Sequence, residues 1–309
     1  MVKRIPSDIN LLFAVDKPLG CTSHDVVSRV RRALGVRRVG HAGTLDPLAT
    51  GVMVLGVGQA TRLLGMLTLD RKSYIASVSF GSETNTDDSE GEVTRTAPVD
   101  AKLKDEAYAR SVLDSFVGPQ MQVPPAFSAI SVNGVRAYKR ARAGENVDLP
   151  ARPVEIFELQ LLSVLVDGEQ VVWNIACTVS KGTYIRSLAR DIGRAAQSAA
   201  HIVSLRRSAS GSISLAHAIE LENVSADALR AHAIDPVSSL GLGRVDLPSE
   251  ALARILNGQT IDAGSFSECL PEGSPCALVI EGQMRAIACL EQRRYVMRDV
   301  FPQGIEGVL

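Results

Sequence analysis

Long hydrophobic runs are missing from this 309-residue chain, although hydrophobic residues make up 46% of it. No segment approaches the roughly 20 consecutive apolar residues that a membrane-spanning helix needs. The apolar residues are therefore expected to form a globular core, in one large domain or two, and no membrane partner is expected. The N-terminus lacks an apolar region of the signal-peptide kind. Cysteine is scarce: Cys21, Cys177, Cys269, Cys276 and Cys289 are odd in number and irregularly spaced. That excludes a disulfide framework and the common zinc patterns, and the simple inference is a reduced, cytoplasmic protein. There is no glycine-rich nucleotide fingerprint, no metal-ligand cluster and no Ser-His-Asp order. Neither a nucleotide cofactor nor a metal is expected. An excess of charge is missing too, since the net charge is −1, which taken whole argues against a nucleic-acid partner.

The distribution of charge argues the other way. Residues 1–72 carry 11 basic and 5 acidic residues, and residues 181–207 carry 6 and 1. Residues 73–116 carry 4 and 9, and residues 208–309 carry 7 and 13. Two basic stretches segregated from two acidic ones are the footprint of a phosphate-binding groove on an otherwise acidic body. Solvated charged faces produce the same pattern.

The most distinctive stretch is His41-Ala42-Gly43-Thr44-Leu45-Asp46-Pro47-Leu48-Ala49-Thr50-Gly51. It sets one carboxylate, Asp46, between two glycines. Pro47 restricts Asp46 to extended backbone and removes one donor, and the glycines permit tight turns. A short, stiff loop presenting a carboxylate is expected, followed at once by a buried strand from Val52. Asp-Pro is equally a helix start, with Asp as N-cap and Pro at the first helical position. Only three residues separate Pro47 from Gly51, so at most one turn could form.

Gly43-Thr44-Leu45-Asp46-Pro47-Leu48-Ala49-Thr50-Gly51 resembles the catalytic motif of the tRNA pseudouridine synthase B family, enzymes that modify uridine 55 in the T-arm. Three more stretches resemble family motifs in the family's order: Asp16-Lys17-Pro18-Leu19-Gly20, Ser180-Lys181-Gly182-Thr183-Tyr184-Ile185-Arg186 and His201-Ile202-Val203-Ser204-Leu205-Arg206-Arg207. The resemblance covers roughly residues 10 to 240. It implies an α+β fold, a mixed sheet with flanking helices, over residues 1–240, with an RNA-clasping insertion at about 122–152. Residues 244–309, with short strand candidates separated by Gly and Pro, resemble a small β-rich module of the PUA type, more weakly.

Along the chain, Leu11 to Val15 reads as a buried strand. Ser23 is expected to cap a helix whose apolar face holds Val26, Val27, Val30 and Leu34, with Gly35 as its stop. Arg29, Arg31, Arg32, Arg37 and Arg38 exceed what helix capping needs, so phosphate contact is expected there. Gln59 to Leu69 and residues 101–117 are expected to be helical, the latter with Leu103, Ala107, Val112, Leu113 and Phe116 inward. Tyr74 to Phe80 alternates as a strand. Gly81 to Glu92 reads as a solvated acidic loop. Asn133-Gly134 signals a hairpin; Arg136, Lys139, Arg140 and Arg142 follow it. Residues 153–166 and 171–179 are strands, and a helix begins near Thr183. Its stripe is Ile185, Leu188, Ala189 and Ile192, with Arg190 and Arg194 on a solvated face. His201 to Ser214 reads as a hairpin.

The resemblance implies roles for individual residues. Asp46 is the catalytic carboxylate, Arg186 the cation that keeps it ionised, and Tyr74 the ring that stacks on the target base. His41, Tyr184, Leu205 and Lys17 belong to the base pocket, Lys17 as a support near the cleft. Arg37, Arg38, Arg136, Arg140, Lys181, Arg206 and Arg207 are expected on the RNA backbone. Phe127 and Ser131 depart from the family, where Tyr and a basic residue are frequent. The reaction implied is the cofactor-free isomerisation of uridine to pseudouridine in tRNA by a monomer. A non-catalytic RNA-binding protein would need only the basic stretches, and a synthase acting on another RNA would share the motifs.

Overall fold

The computed structural model describes residues 8–68, 71–128, 130–132, 134–145, 147–265 and 270–309. It is a mixed α/β protein that divides into two compact units. The first comprises Met1–Pro47, Gly51–Leu69 and Ser210–Leu309; the second comprises Leu48–Thr50 and Asp70–Ala209. Among the described residues no helix is long and apolar enough to cross a membrane.

In the first unit, the strand Leu12–Lys17 pairs antiparallel with Ala49–Val57 and parallel with Ala218–Glu220. Val39–Ala42 pairs with Ala49–Val57 on its other side. Val52, Met53, Val54 and Leu55 are all buried, which is why this strand reads as a continuous apolar run rather than an alternating one. The helix Ser23–Leu34 buries Val26, Val27 and Val30 and ends at Gly35, whose φ of 64° is the left-handed cap that glycine accommodates. Its N-cap is Thr22, not Ser23: Thr22 and Asp25 form a reciprocal capping box. The helix expected over Gln59 to Leu69 is a 3-10 turn, Gly58–Arg62, and one α-turn, Leu64–Leu67. Gly58, at φ 58°, opens the 3-10 turn where a Cβ would sit 2.2 Å from the Asn10 side chain. Leu69 lies outside the described residues.

The C-terminal strands form a second sheet in this unit, in the order Gly243–Asp246, Pro275–Ile280, Gln283–Glu291, Arg294–Ile305, Ile261–Asp262. Both faces are covered. Cys276, Leu278, Ile280, Ala286, Ala288 and Tyr295 pack with Ile255 of the helix Leu252–Leu256. Ala277, Val279, Met284, Ile287, Phe301 and Ile305 cluster with Leu12, Ala14, Val52, Val54 and Leu63. Arg62 adds an ion pair to Asp299 and lies over the Phe301 ring. The β-rich segment after residue 240 thus shares its core with the N-terminal strands.

In the second unit the sheet order is Ala200–Ser210, Lys72–Phe80, Gln170–Val179, Arg152–Asp167, Gly118–Gln122. Ala76 and Val78 are buried and alternate with the more exposed Ile75 and Ser77, as the pleat requires, while Val78, Ser79 and Phe80 are all buried. Trp173 is fully buried against Phe80 and donates its indole N–H to the Leu103 carbonyl at 2.8 Å. The expected helix over 101–117 is broken at Asp105, whose carboxylate caps a new helix, Glu106–Asp114, by accepting from the Ala107 N–H. Ala109 therefore points inward and Ala107 outward. Ser131–Val132 and Val135–Arg136 form a hairpin, with Gly134 at φ 81°; Asn133 lies outside the described residues. The helix Ile185–Ala195 buries Ile185, Leu188, Ala189 and Ile192.

Candidate active site

No helix follows Pro47. The chain passes from Asp46 through two bends into the strand Ala49–Val57, so the capping alternative for Asp46 is excluded and a half-buried carboxylate sits on an irregular loop. Gly43 and Gly51 have φ of 83° and 103°, conformations that a side chain would strain. The loop is pinned on both sides of Asp46. The Ser23 hydroxyl accepts from the Leu45 N–H at 2.8 Å and donates to the Leu45 carbonyl at 3.0 Å. On the other side, the Pro47 carbonyl accepts from the Gly20 N–H at 3.0 Å and from Lys17 Nζ at 3.4 Å. Lys17 Nζ also donates to the Pro18 and Cys21 carbonyls at 3.0 and 2.5 Å. Lys17 is 0% exposed. Its ammonium braces the loop through backbone carbonyls, in the manner of the support expected of it. His41 is half-buried on the strand Val39–Ala42, opposite Leu55.

The other expected site residues lie in the second unit. Tyr74 is half-buried on its strand, opposite Cys177. Leu205 is buried on Ala200–Ser210. Tyr184 is the N-cap position of the helix Ile185–Ala195, and Gln122 grips it from both sides. The Gln122 Oε1 accepts from the Tyr184 N–H at 2.9 Å, and its amide donates to the Tyr184 carbonyl at 3.1 Å. Two helical residues on, Arg186 is buried, and its guanidinium donates to Thr86 O at 2.7 Å and Phe127 O at 3.0 Å and meets Asp88 Oδ2 at 3.5 Å.

This arrangement overturns the reading of Gly81 to Glu92 as a solvated loop. Glu83, Asp87 and Asp88 are 4%, 6% and 3% exposed. It also overturns the solvated reading of Arg190, while Arg194 is exposed as expected. Arg190 is buried and bonds Asp87 at 2.9 Å, Val123 O at 2.9 Å and Asp191 at 3.0 Å. Arg194 meets Glu83 at 2.7 Å, and Arg95 reaches the same carboxylate at 2.7 Å. Burial pushes the Glu83 carboxyl up, but the hydrogen bonds and charges of Arg194 and Arg95 outweigh it and hold it at about 2. For Asp87 burial wins over the cations and raises it to about 6. The acidic and basic stretches that the sequence segregates therefore neutralise each other inside one unit.

Of the residues expected on phosphates, Arg37, Arg136 and Lys181 are exposed. Arg38 is exposed but donates Nε to Thr61 Oγ1 at 2.8 Å. A surface depression of about 620 Å³ is lined by Ser28, Arg31, Arg32, Gly35, Val36 and Arg37. Arg140 is engaged by Glu145 at 2.6 Å, and Arg206 donates to Thr50 Oγ1 at 3.3 Å. Arg207 is 1% exposed, which corrects its assignment: a guanidinium enclosed by the core does not meet a phosphate. Ser23, Gln122, Asp87 and Asp88 are absent from the sequence reading of the site. The carboxylates alone left a trace there, as an acidic run.

The architecture recurs among solved structures. A chain of the solved H/ACA RNP bound to a substrate RNA containing 2'-deoxyuridine matches it with a TM-score of 0.67, covering 96% of this chain and 86% of that one at 21% identity, which shows a common fold. Residues 31–185 match the model for the TruB family pseudouridylate synthase N-terminal domain, and residues 186–253 match that for the tRNA pseudouridylate synthase B C-terminal domain. The chain belongs to the TruB family of pseudouridylate synthases. Its relatives include the tRNA pseudouridine synthase B of Mycolicibacterium paratuberculosis, 42% identical over 87% of this chain and 92% of that protein. That of Mycobacteroides abscessus is 44% identical over 91% and 92%.

Proposed function

We infer that this chain isomerises uridine to pseudouridine in tRNA, and we propose that its target is uridine 55 of the T-arm. Family membership carries the inference, and the doubly pinned Asp46 loop is the geometry that suits it. Asp46 is the proposed catalytic residue, acting on the sugar or the base of a flipped nucleotide. Extruding a base costs a few kcal/mol, and Tyr74 is proposed to restore stacking worth about 1–3 kcal/mol. His41 is proposed to assist that flipping, and Tyr184 and Leu205 are proposed to contact the target base. A cation beside a carboxylate favours its ionised form, the role proposed for Arg186. Its orientation is set in advance by the acceptors it holds, so little reorganisation is left for the reaction.

The bookkeeping needs no added redox partner. The N1–sugar bond breaks, the ring turns, C5 bonds to the sugar and releases its hydrogen, and N1 takes up a proton. Arg37, Arg38, Arg136, Lys181 and Arg206 are the proposed phosphate contacts. Arg140 would have to leave Glu145 to join them. The protein is proposed to act as a cytoplasmic monomer.

The test is tritium release from a T-arm stem-loop labelled at uridine C5, with purified protein and no added cofactor. Release by the wild type is expected, and its loss in Asp46→Asn with RNA binding retained. Tight binding without release from any tRNA would replace the enzyme with an RNA-binding protein. Near-normal turnover in Asp46→Asn would remove Asp46 from the chemistry.

A further inference from the structure

We propose that the Arg190–Asp87 ion pair is a positioning device that sets the orientation of Arg186 for the isomerisation. This rests on the reading that Arg186 serves the reaction. Arg186 and Arg190 are one helical turn apart, so their side chains leave the same face. Each bridges the same two segments. Arg186 reaches Thr86 O and Asp88 on one segment and Phe127 O on the other. Arg190 reaches Asp87 on the first and Val123 O on the second. The second arginine thus fixes the spacing of the acceptors that the first one uses.

Asp87 is the residue through which this acts, because two acceptors of Arg186 are its immediate neighbours. Its φ is 60°, in the left-handed region, which Asp enters more readily than most side chains but which is not its preferred backbone. Its own backbone bonds hold it there in part: its N–H donates to Thr84 O at 3.2 Å, and its carbonyl accepts from the Ile202 N–H at 3.1 Å. The side chain does the rest, accepting from Arg190 Nη1 at 2.9 Å and from the Ser187 hydroxyl at 3.5 Å. Arg190 is itself locked by Asp191 and Val123. Without the ion pair, Asp87 is free to relax toward ordinary backbone, and the Thr86 carbonyl and Asp88 carboxylate move with it.

A pH signature follows. The Asp87 carboxyl faces Arg186, Arg190, Asp191 and Arg194 of the helix and adjoins Asp88, and burial holds it at about 6. Protonation there removes the charge that Arg190 binds, while amide or acid alike fills the space.

The experiment measures single-turnover tritium release with excess full-length protein, RNA affinity by filter binding, and thermal unfolding. Arg190→Met is expected to lower the single-turnover rate constant by about 10- to 100-fold, the scale of an ångström-sized misplacement. Affinity for the stem-loop should stay within about twofold, and Arg190→Lys should recover part of the rate. The wild-type rate should fall as pH drops through about 6, the value set for Asp87, and Asp87→Asn should lack that limb. Wild-type rates in Arg190→Met, losses proportional only to the unfolded fraction, or an unchanged limb in Asp87→Asn would overturn the proposal. Should Arg190→Met not fold, Arg190→Lys and Asp87→Asn decide by the same readouts. Arg186→Met separates the two readings. If it is inactive while Arg190→Met is normal, only the positioning role fails; if it is active, the role of Arg186 fails as well.

Discussion

Ser23→Ala is the sharpest probe of the Asp46 loop. The hydroxyl is buried and serves both polar groups of the Leu45 backbone, at 2.8 and 3.0 Å. Leu45 is buried as well, so water does not replace what the substitution removes. Each unsatisfied buried group costs about 1–3 kcal/mol; allowing for partial relaxation, a total of about 2–4 kcal/mol is expected. The functional effect is distinct from the stability effect. Leu45 precedes Asp46, and a shift of about 1 Å at a reacting group costs on the order of 100-fold in rate. The assay pairs single-turnover tritium release with thermal unfolding, in Ser23→Ala and in Thr22→Ala. Thr22 is the true cap, so its loss should cost about 1 kcal/mol and leave the rate of folded protein near normal. Ser23→Ala should lose both stability and rate. If the two variants match, with stability lost and rate intact, the hydroxyl acts on the helix alone and the argument for a braced loop is wrong.

Gln122→Ala strips both backbone bonds from Tyr184 and should cost about 2–3 kcal/mol with a lowered turnover. Gln122→Glu keeps the acceptor but loses the donor to the Tyr184 carbonyl, and should be no milder. Glu83→Gln should be destabilising at neutral pH. Folding lowers the Glu83 pKa from its ordinary 4.5 to about 2, so its contribution is present above pH 4.5 and vanishes as pH falls toward 2. That depression alone corresponds to about 3 kcal/mol; Arg95 and Arg194 approach from solvent, so about 1–2 kcal/mol is expected. Urea melts of both proteins at pH 7 and near pH 2.5 would show the difference shrinking, and a constant gap would refute the ion-pair account.

Much of the fold was legible because it follows from local chemistry. The Asp46 loop stayed irregular because Pro47 and Gly51 leave no room for a helix. Gly35 stopped its helix, and the continuous apolar runs at Leu12 to Val15 and Val52 to Leu55 became strands buried on both faces. What was not legible depended on partners distant in sequence. Ser23 looks like a cap because Ser is a good one; Thr22 and Asp25 make the box, and the freed hydroxyl found Leu45, 22 residues away. Gln122 carries no motif, and its value comes from lying beside Tyr184 across 62 residues. Charge was the largest misreading. The basic run at 181–207 and the acidic run at 73–116 look like separate surfaces, one of them for RNA. Arg186, Arg190 and Arg194 meet Asp88, Asp87 and Glu83 within the same unit. Isolated buried guanidinium groups would be prohibitive, so a helix whose stripe of Ile185, Leu188, Ala189 and Ile192 is fully buried forces its flanking arginines to find carboxylates. Net charge along a sequence therefore overstates the phosphate-binding surface wherever a basic helix is also a core helix. In this chain Lys181 and Arg194 are the exposed cations of the run, and Arg206 is half-buried.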